Sequence, residues 1–330
     1  MPKTIYDIAK AADVSIATVS RVFSRSNTVK ESTRKKILKI ADEMGYHPQA
    51  YAQRLASKKK NSIMMLVPVM SNHFFTEILK GSQDILVDLN IELTIQNVNQ
   101  EMGVFKQVEQ ILKRQWADGY LLVSLHLSDQ ELRKLKRFNV PLSLLDDVSP
   151  LYDSVGFDNV AGGYKATAYL LGKGYHDVVF LSGKTTSKPV KERLQGFKNA
   201  LSEYQIPFSK DHVILGNSMD RDGFTEKSGY EAMLKILMSD PLPGAVFCSS
   251  DIKAIGALKA MRDENVNLPL VSYDNLSISE YIGLSTVHQP MYDMGYQATK
   301  HLIERIENPF AKICDYVHDP ELIIRSSSEV

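Results

Sequence analysis

The sequence has almost no cysteine: Cys248 and Cys314 are the two in 330 residues, far apart and without the paired spacing of a metal site. So few thiols exclude a disulfide scaffold and fit a reducing compartment. Long apolar runs are missing too. The most apolar stretch, IMMLVPV, is one strand long, well short of the roughly 20 residues that span a bilayer. The N-terminal MPKTIYDIAK is amphipathic and lacks the apolar segment of a secretion signal, so a cytoplasmic protein without a membrane anchor is expected. Catalytic signatures are equally scarce. There is no G-x-S-x-G and no H-E-x-x-H, and the histidines are scattered singly. LSGKTTSK has the end of a phosphate-binding loop, but Val178 stands where that loop needs its first glycine. No enzyme, cofactor or metal is expected.

Net charge is the last absence, with 39 Lys and Arg balancing 39 Asp and Glu. The balance hides an asymmetry. Residues 1–60 carry 13 basic against 5 acidic side chains, and the remainder 26 against 34. A small basic head on a larger acidic body points to a polyanion as the partner of the head.

Three short helical patterns precede residue 46. Ile5, Ile8 and Ala9 stripe the first; Val14, Val19 and Val22 the second; Ile37, Ile40 and Ala41 the third. Ser15 stands where an N-cap is wanted, so the second helix starts at Ile16, and only a tight turn at 12–14 separates it from the first. That is a helix-turn-helix, whose second helix enters the major groove. With Val19 and Val22 inward, Ile16, Ala17, Ser20 and Arg21 face outward. Hydroxyls at Ser15 and Thr18 suit phosphate oxygens, and the Arg21 fork suits guanine O6 and N7.

Residues 47–60, HPQAYAQRLASKKK, open with a proline suited to a helix start and run about two turns without core periodicity. So short a helix is marginal alone in water. Lys58, Lys59 and Lys60 read equally as phosphate contacts or as a solvated linker. From Asn61 onward, buried-strand runs (IMMLVPV, GYLLVS, LSLL, VVFLSG, GAVFCSS) alternate with amphipathic stretches at 74–88, 104–115, 160–173, 190–204 and 250–263. Such alternation implies parallel sheets with helices on both faces, and about ten units imply two α/β lobes. Ligands of such sheets lie beyond the carboxyl ends of the strands.

The head, through TIYDIAKAADVSIATVSRVF and VKESTRKKILKIADEMGYHPQAYAQRLA, resembles the LacI/GalR family of bacterial transcription regulators. The resemblance continues through SNHFFTEILKG, DNVAGGYKATAYLLGKGYHDVVFLSG, ERLQGFKNAL, SSDIKAIGALKAM, VSYDN and STVHQPMYDMGYQA. It implies a helix-turn-helix domain at 1–46, a hinge helix and linker at 47–60, and an effector-binding and dimerisation body at 61–330 similar to periplasmic sugar-binding proteins. Its lobes exchange strands: 61–157 with 288–313, and 158–287 with 314–330. The resemblance makes Ile16 and Ala17 the operator-choosing pair and adds Thr4, Gln49, Ala52, Leu55 and Lys59 to the DNA-contacting set, Leu55 as a minor-groove wedge. It places Phe74, Phe75, Ser124, Asp146, Arg193, Phe224, Ser250 and Asp274 around a small-molecule effector. An aromatic face takes a ring while Arg and Asp fix its polar edge.

Four positions depart from the family pattern: Asp13 replaces a turn glycine, Gln49 an asparagine, His73 a proline and Lys253 a methionine. The chain runs to RSSSEV with no heptad helix, so a homodimer is expected on double-stranded operator DNA. The function implied is a repressor of a carbohydrate-use operon controlled by a sugar or, through Lys184, Lys188 and Lys191, a sugar phosphate. The alternative is a global catabolite regulator whose corepressor is a phosphorylated carrier protein.

Overall fold

Three short helices, α1 (Ile5–Ala12), α2 (Ile16–Phe23) and α3 (Glu31–Glu43), bury Ile8, Ala12, Val19, Val22 and Ile37 against one another. The computed structural model describes residues 3–23, 28–46, 61–68, 73–218 and 220–329; these fall into the N-terminal unit and a body that begins at Ile63. In the unit, the Thr4 amide and hydroxyl both donate to the Asp7 carboxylate at 2.8 Å and set the start of α1. Asp13 closes α1 in the left-handed region (φ 56°), while the Val14 amide donates to the Ala9 carbonyl at 3.0 Å. A glycine suits this position for that reason, and aspartate is among the few residues that tolerate it. The Ser15 hydroxyl accepts from the Thr18 amide at 3.2 Å, so α2 begins at a serine cap. Lys36 on α3 donates to the Ala12 carbonyl at 2.8 Å and Arg34 to the Val22 carbonyl at 3.2 Å, which places cations at the ends of α1 and α2 where carbonyls are unpaired.

The body is two six-stranded sheets. The first contains β1 (Ser62–Val67), β2 (Glu92–Asn97), β3 (Gly119–Val123), β4 (Leu142–Leu145), β5 (Asp153–Phe157) and β11 (Asp315–His318), in the order 2-1-3-4-5-11. The second contains β6 (Val178–Ser182), β7 (Val213–Leu215), β8 (Ala245–Cys248), β9 (Leu270–Asp274), β10 (Ser285–His288) and β12 (Glu321–Ile323), in the order 7-6-8-9-10-12. Strands β1, β3, β4, β5 and β11 pair in parallel, as do β7, β6, β8, β9 and β10, and β12 runs antiparallel to β10. Central strands are buried along their whole length because helices cover both faces, which is why they read as continuous apolar runs.

The helices are α4 (His73–Asp88), α5 (Val104–Arg114), α6 (Asp129–Leu135), α7 (Asn159–Gly172), α8 (Lys188–Glu203), α9 (Glu226–Leu237), α10 (Asp251–Asp263), α11 (Ser277–Tyr281) and α12 (Met291–Glu307). Among the described residues no helix is long and apolar enough to cross a membrane. Gly163 on α7 lies directly on the backbone of Arg193, and Gly196 on α8 lies on Val160, so these two helices approach as only glycine allows. The chain passes between the sheets three times: after β5, after β10, and between β11 and β12. The third passage falls at 319–320 rather than at 313/314 as the resemblance implies. The cause is Asp315–His318, which pairs in parallel with Ser154–Phe157 and so belongs to the first sheet.

At the amino end of β5, Arg305 on α12 donates to both Asp153 oxygens at 2.8 and 2.9 Å and to the Ala311 carbonyl at 2.5 Å. The Cys314 amide donates to the same carboxylate at 2.9 Å. The pair therefore fastens α12 and the approach to β11 onto the first sheet. Removing one partner of a buried ion pair strands the other, so Arg305→Ala should cost about 3–5 kcal/mol in urea unfolding followed by circular dichroism.

Candidate DNA-reading helix and interlobe ligand site

On α2, Val19 and Val22 are buried and Ile16, Ala17 and Arg21 are exposed, as is Ser15 at the cap. Thr18 and Ser20 are half-buried, and Thr4 is exposed before α1. The Ser15 and Thr18 hydroxyls lie 2.9 Å apart and bond to each other, so they form one polar group at the start of the helix. An amino-terminal turn with exposed residues at its first two positions and an arginine one turn on is the arrangement that reaches base edges and phosphates together. Gln49, Ala52, Leu55 and Lys59, with the whole 47–60 hinge, lie outside the described residues.

In the body, the carboxyl ends of the strands gather unusual backbone. Ser124 after β3 (φ 50°), His126 (φ 49°), Asp146 after β4 (φ 60°), and Asp274 (φ 115°) and Asn275 (φ 57°) after β9 all have positive φ. Such conformations each cost on the order of 1–3 kcal/mol and collect where function requires them. A cavity of about 160 Å³ opens there between the lobes, lined by His126, Asp146 and Asp147 from one side and Asn159, Lys188 and Glu192 from the other. Lys188 reaches across to Asp147 at 2.5 Å, and His126 Nδ1 lies 3.2 Å from the other Asp147 oxygen. Burial alone raises the Asp147 pKa, but His126 and Lys188 outweigh it and hold the carboxyl below its usual range. Asp146, which accepts from the Ser124 hydroxyl at 2.7 Å, is pushed up by burial, as is Glu192.

Arg193, 4 % exposed, anchors the back of this region. Its Nε donates to Asn159 Oδ1 at 2.9 Å, Nη1 to the Ser249 carbonyl at 2.6 Å and Nη2 to Gln289 Oε1 at 3.3 Å. The Asp274 carboxylate lies 3.5 Å from Nη1, and the guanidinium centre sits 3.7 Å above the Tyr273 ring. Burial raises Asp274 to about 7 even beside this cation.

A three-helix head with an exposed second helix, joined to two parallel-sheet lobes around a polar cavity, narrows the possibilities to ligand-responsive DNA-binding proteins. Residues 4–49 match the bacterial regulatory proteins of the lacI family, and residues 167–328 a periplasmic binding protein-like domain. Catabolite control protein A of Priestia megaterium is 32% identical over 312 residues, covering 92% of this chain and 92% of the relative. The chain belongs to the LacI family. It is a transcription regulator with a helix-turn-helix domain and a two-lobed, periplasmic-binding-protein-like body. The structure of the lac repressor dimer bound to operator and the anti-inducer ONPF superposes with TM-score 0.83 at 25% identity, covering 99% of both chains. The complex of the transcriptional regulator CelR with cellobiose gives TM-score 0.70 at 26% identity, covering 98% of this chain and 99% of that one.

Within this LacI-family body the eight residues expected around an effector come from both lobes. Asp146 lines the cavity and Ser124 is bonded to it; Arg193 and Asp274 form the second pair. Phe74 and Phe75 meet edge to face at 5.2 Å in the first turn of α4, both half-buried against the core. Phe224 is half-buried by the carboxyl end of β6. Ser250 is 2 % exposed and its hydroxyl caps α10, accepting from the Lys253 amide at 3.4 Å. Sequence reading misses His126, Asp147, Asn159, Glu192 and Gln289; the one available signal is the pair of acids directly after LSLL. It also misses Asp251, whose buried carboxylate accepts from the Leu276 amide, the Ser279 hydroxyl and the Thr286 hydroxyl at 2.6–2.8 Å and ties β9 to β10.

The Asp274 proton carries a pH signature. The folded chain keeps it up to about 7, against an ordinary value of 3.8, so folded protein binds more protons than unfolded in between. Stability from this group is therefore present below that window and lost as the pH rises through it. In urea unfolding without ligand, Asp274→Asn should gain stability relative to wild type on going from about pH 5 to about pH 7.5.

Proposed function

We propose that this protein is a homodimeric repressor of carbohydrate-use genes that reads operator DNA with α2 and releases or grips it according to a neutral, hydroxyl-rich sugar held between the lobes. The observation that carries the ligand class is the charge of the cavity. Asp146, Asp147 and Glu192 face it, and the Lys188 cation is already engaged by Asp147 at 2.5 Å and Glu192 at 3.8 Å. Lys184 lies 3.6 Å from Asp222, and Lys191 points to solvent on α8. A phosphate would meet three carboxylates with no lysine in reserve, whereas sugar hydroxyls both donate to carboxylates and accept from the Asn159 amide. The CelR–cellobiose complex supports the same class.

On DNA, Ile16 and Ala17 would meet base edges, Thr4, Ser15, Thr18 and Ser20 phosphates, and Arg21 a guanine. Gln49, Ala52 and Lys59 would continue the contact through the hinge, with Leu55 as its wedge. The likeness to the operator-bound lac repressor supports this assignment. The likeness to catabolite control protein A favours a second reading, a global regulator with a phosphorylated carrier protein as corepressor. Gel shift on the DNA upstream of this gene, with sugars in one series and the phosphorylated carrier in the other, separates the two.

Arg21→Ala should cost about 1–3 kcal/mol at the operator and little on random DNA, while Lys59→Ala should weaken both and flatten the salt dependence. Equal losses on both DNAs for Arg21→Ala would make it a phosphate contact. For the ligand, calorimetry of residues 61–330 against cellobiose, ribose and their phosphates should show heat with a neutral sugar. Both Arg193→Ala and Asp274→Ala should weaken that binding, and unchanged affinity in both would put the ligand elsewhere. Linkage requires a sugar that loosens DNA binding to bind less tightly to the DNA complex.

A further inference from the structure

Lys253 is fully buried in the first turn of α10, within the core of the second lobe. Its Nζ donates to the Gly223 carbonyl at 2.9 Å and to the Ser228 hydroxyl at 3.0 Å. Both partners are neutral. Among the described residues the titratable groups acting on it are the Cys248 thiol from β8 and the Glu231 carboxylate from α9, and burial lowers the amine to about 8. Burial pushes the Cys248 thiol up, so it stays neutral around this amine. An ammonium without a carboxylate partner is costly to bury, and an apolar side chain of the same length fills such a site without that cost.

What the ammonium holds is a turn. Residues Asp220–Gly223 form a 3-10 turn that ends with two left-handed residues, Asp222 (φ 57°) and Gly223 (φ 80°). The Asp222 carbonyl accepts from the Lys184 amide at 2.7 Å, which docks the turn on the exit of β6. The next residue is Phe224, whose ring lies beside Gly183, near Val190 in the first turn of α8. Thr225 then caps α9, its hydroxyl accepting from the Ser228 amide at 3.1 Å. Phe224 is thus the single residue between a backbone carbonyl clamped by Lys253 and a helix cap.

We propose that Lys253 is a positioning residue: its buried ammonium clamps the Gly223 carbonyl and so sets Phe224 at the exit of β6 as a wall of the ligand site. The part concerning the wall rests on the resemblance that places Phe224 around an effector; the clamp does not. Lys253 touches no ligand and acts through the turn. Its charge strengthens the bond to the carbonyl, so neutralising the amine loosens the turn without emptying the site.

Amide hydrogen exchange of the full chain tests the clamp. In Lys253→Met, protection of residues 222–225 should fall about tenfold or more, while α9 and α10 keep theirs. In wild type, protection of the same residues, corrected for intrinsic rates, should fall selectively between about pH 7 and pH 9.5, and this step should be absent from Lys253→Met. Equal protection of 222–225 in the two proteins overturns the proposal. Where Lys253→Met does not fold, the wild-type pH series decides alone, a flat profile overturning the clamp. Phe224→Ala with unchanged affinity for a sugar that binds wild type would remove the wall while leaving the clamp intact, so the two failures are read separately.

Discussion

The Arg193 guanidinium is the group that fastens the strand ends of the second sheet to the passages between the sheets. It carries five N–H donors and no acceptor, so once 4 % exposed it must be satisfied by protein. Its partners are not drawn from one element. Asn159 follows the first passage between the sheets, Gln289 lies in the second, and Ser249 and Asp274 stand at the ends of β8 and β9. Planar donors in a fixed fork hold these four at set angles, and Tyr273 closes the open face of the fork. Gly163 matters for the same reason, because its missing side chain lets α7 rest on the Arg193 backbone.

Forward of that anchor the cleft is electrostatically lopsided. Asp147 belongs to the first lobe and Lys188 to the second, so their bond spans the cavity, and His126 adds to it when protonated. Desolvation alone would raise the Asp147 pKa; His126 and Lys188 hold it below its usual range, whereas Asp146 next to it is pushed the other way. Two adjacent aspartates thus differ in character, one serving an ion pair and the other a hydroxyl.

Much of this was legible in the residues. The Ser15 cap, the inward Val19 and Val22, and the strand-helix alternation follow from local spacing, and α5 and α10 fall within one residue of the stretches read as 104–115 and 250–263. What escaped is non-local. Nothing in DYVH, an exposed edge strand, says that it pairs with β5, so the third passage was placed too early. Ser250 follows a strand as a ligand contact would, and that position alone does not say that its hydroxyl also caps α10. Lys253 stood out as a departure from the family pattern, but its partners lie in a turn and a helix more than twenty residues earlier in the chain.

The exchange of strands near residue 319 bears on synthesis as well as on architecture. The second sheet acquires its edge strand β12 only after the chain has gone back to build α12 and β11 of the first. The chain is made in order, so β6 to β10 precede the segment of the first sheet that separates them from β12, the strand that covers the free side of β10. Without β12, Thr286 and Val287 lie on an open strand edge, the kind of edge that other chains pair with. The lobe begun second is therefore finished last.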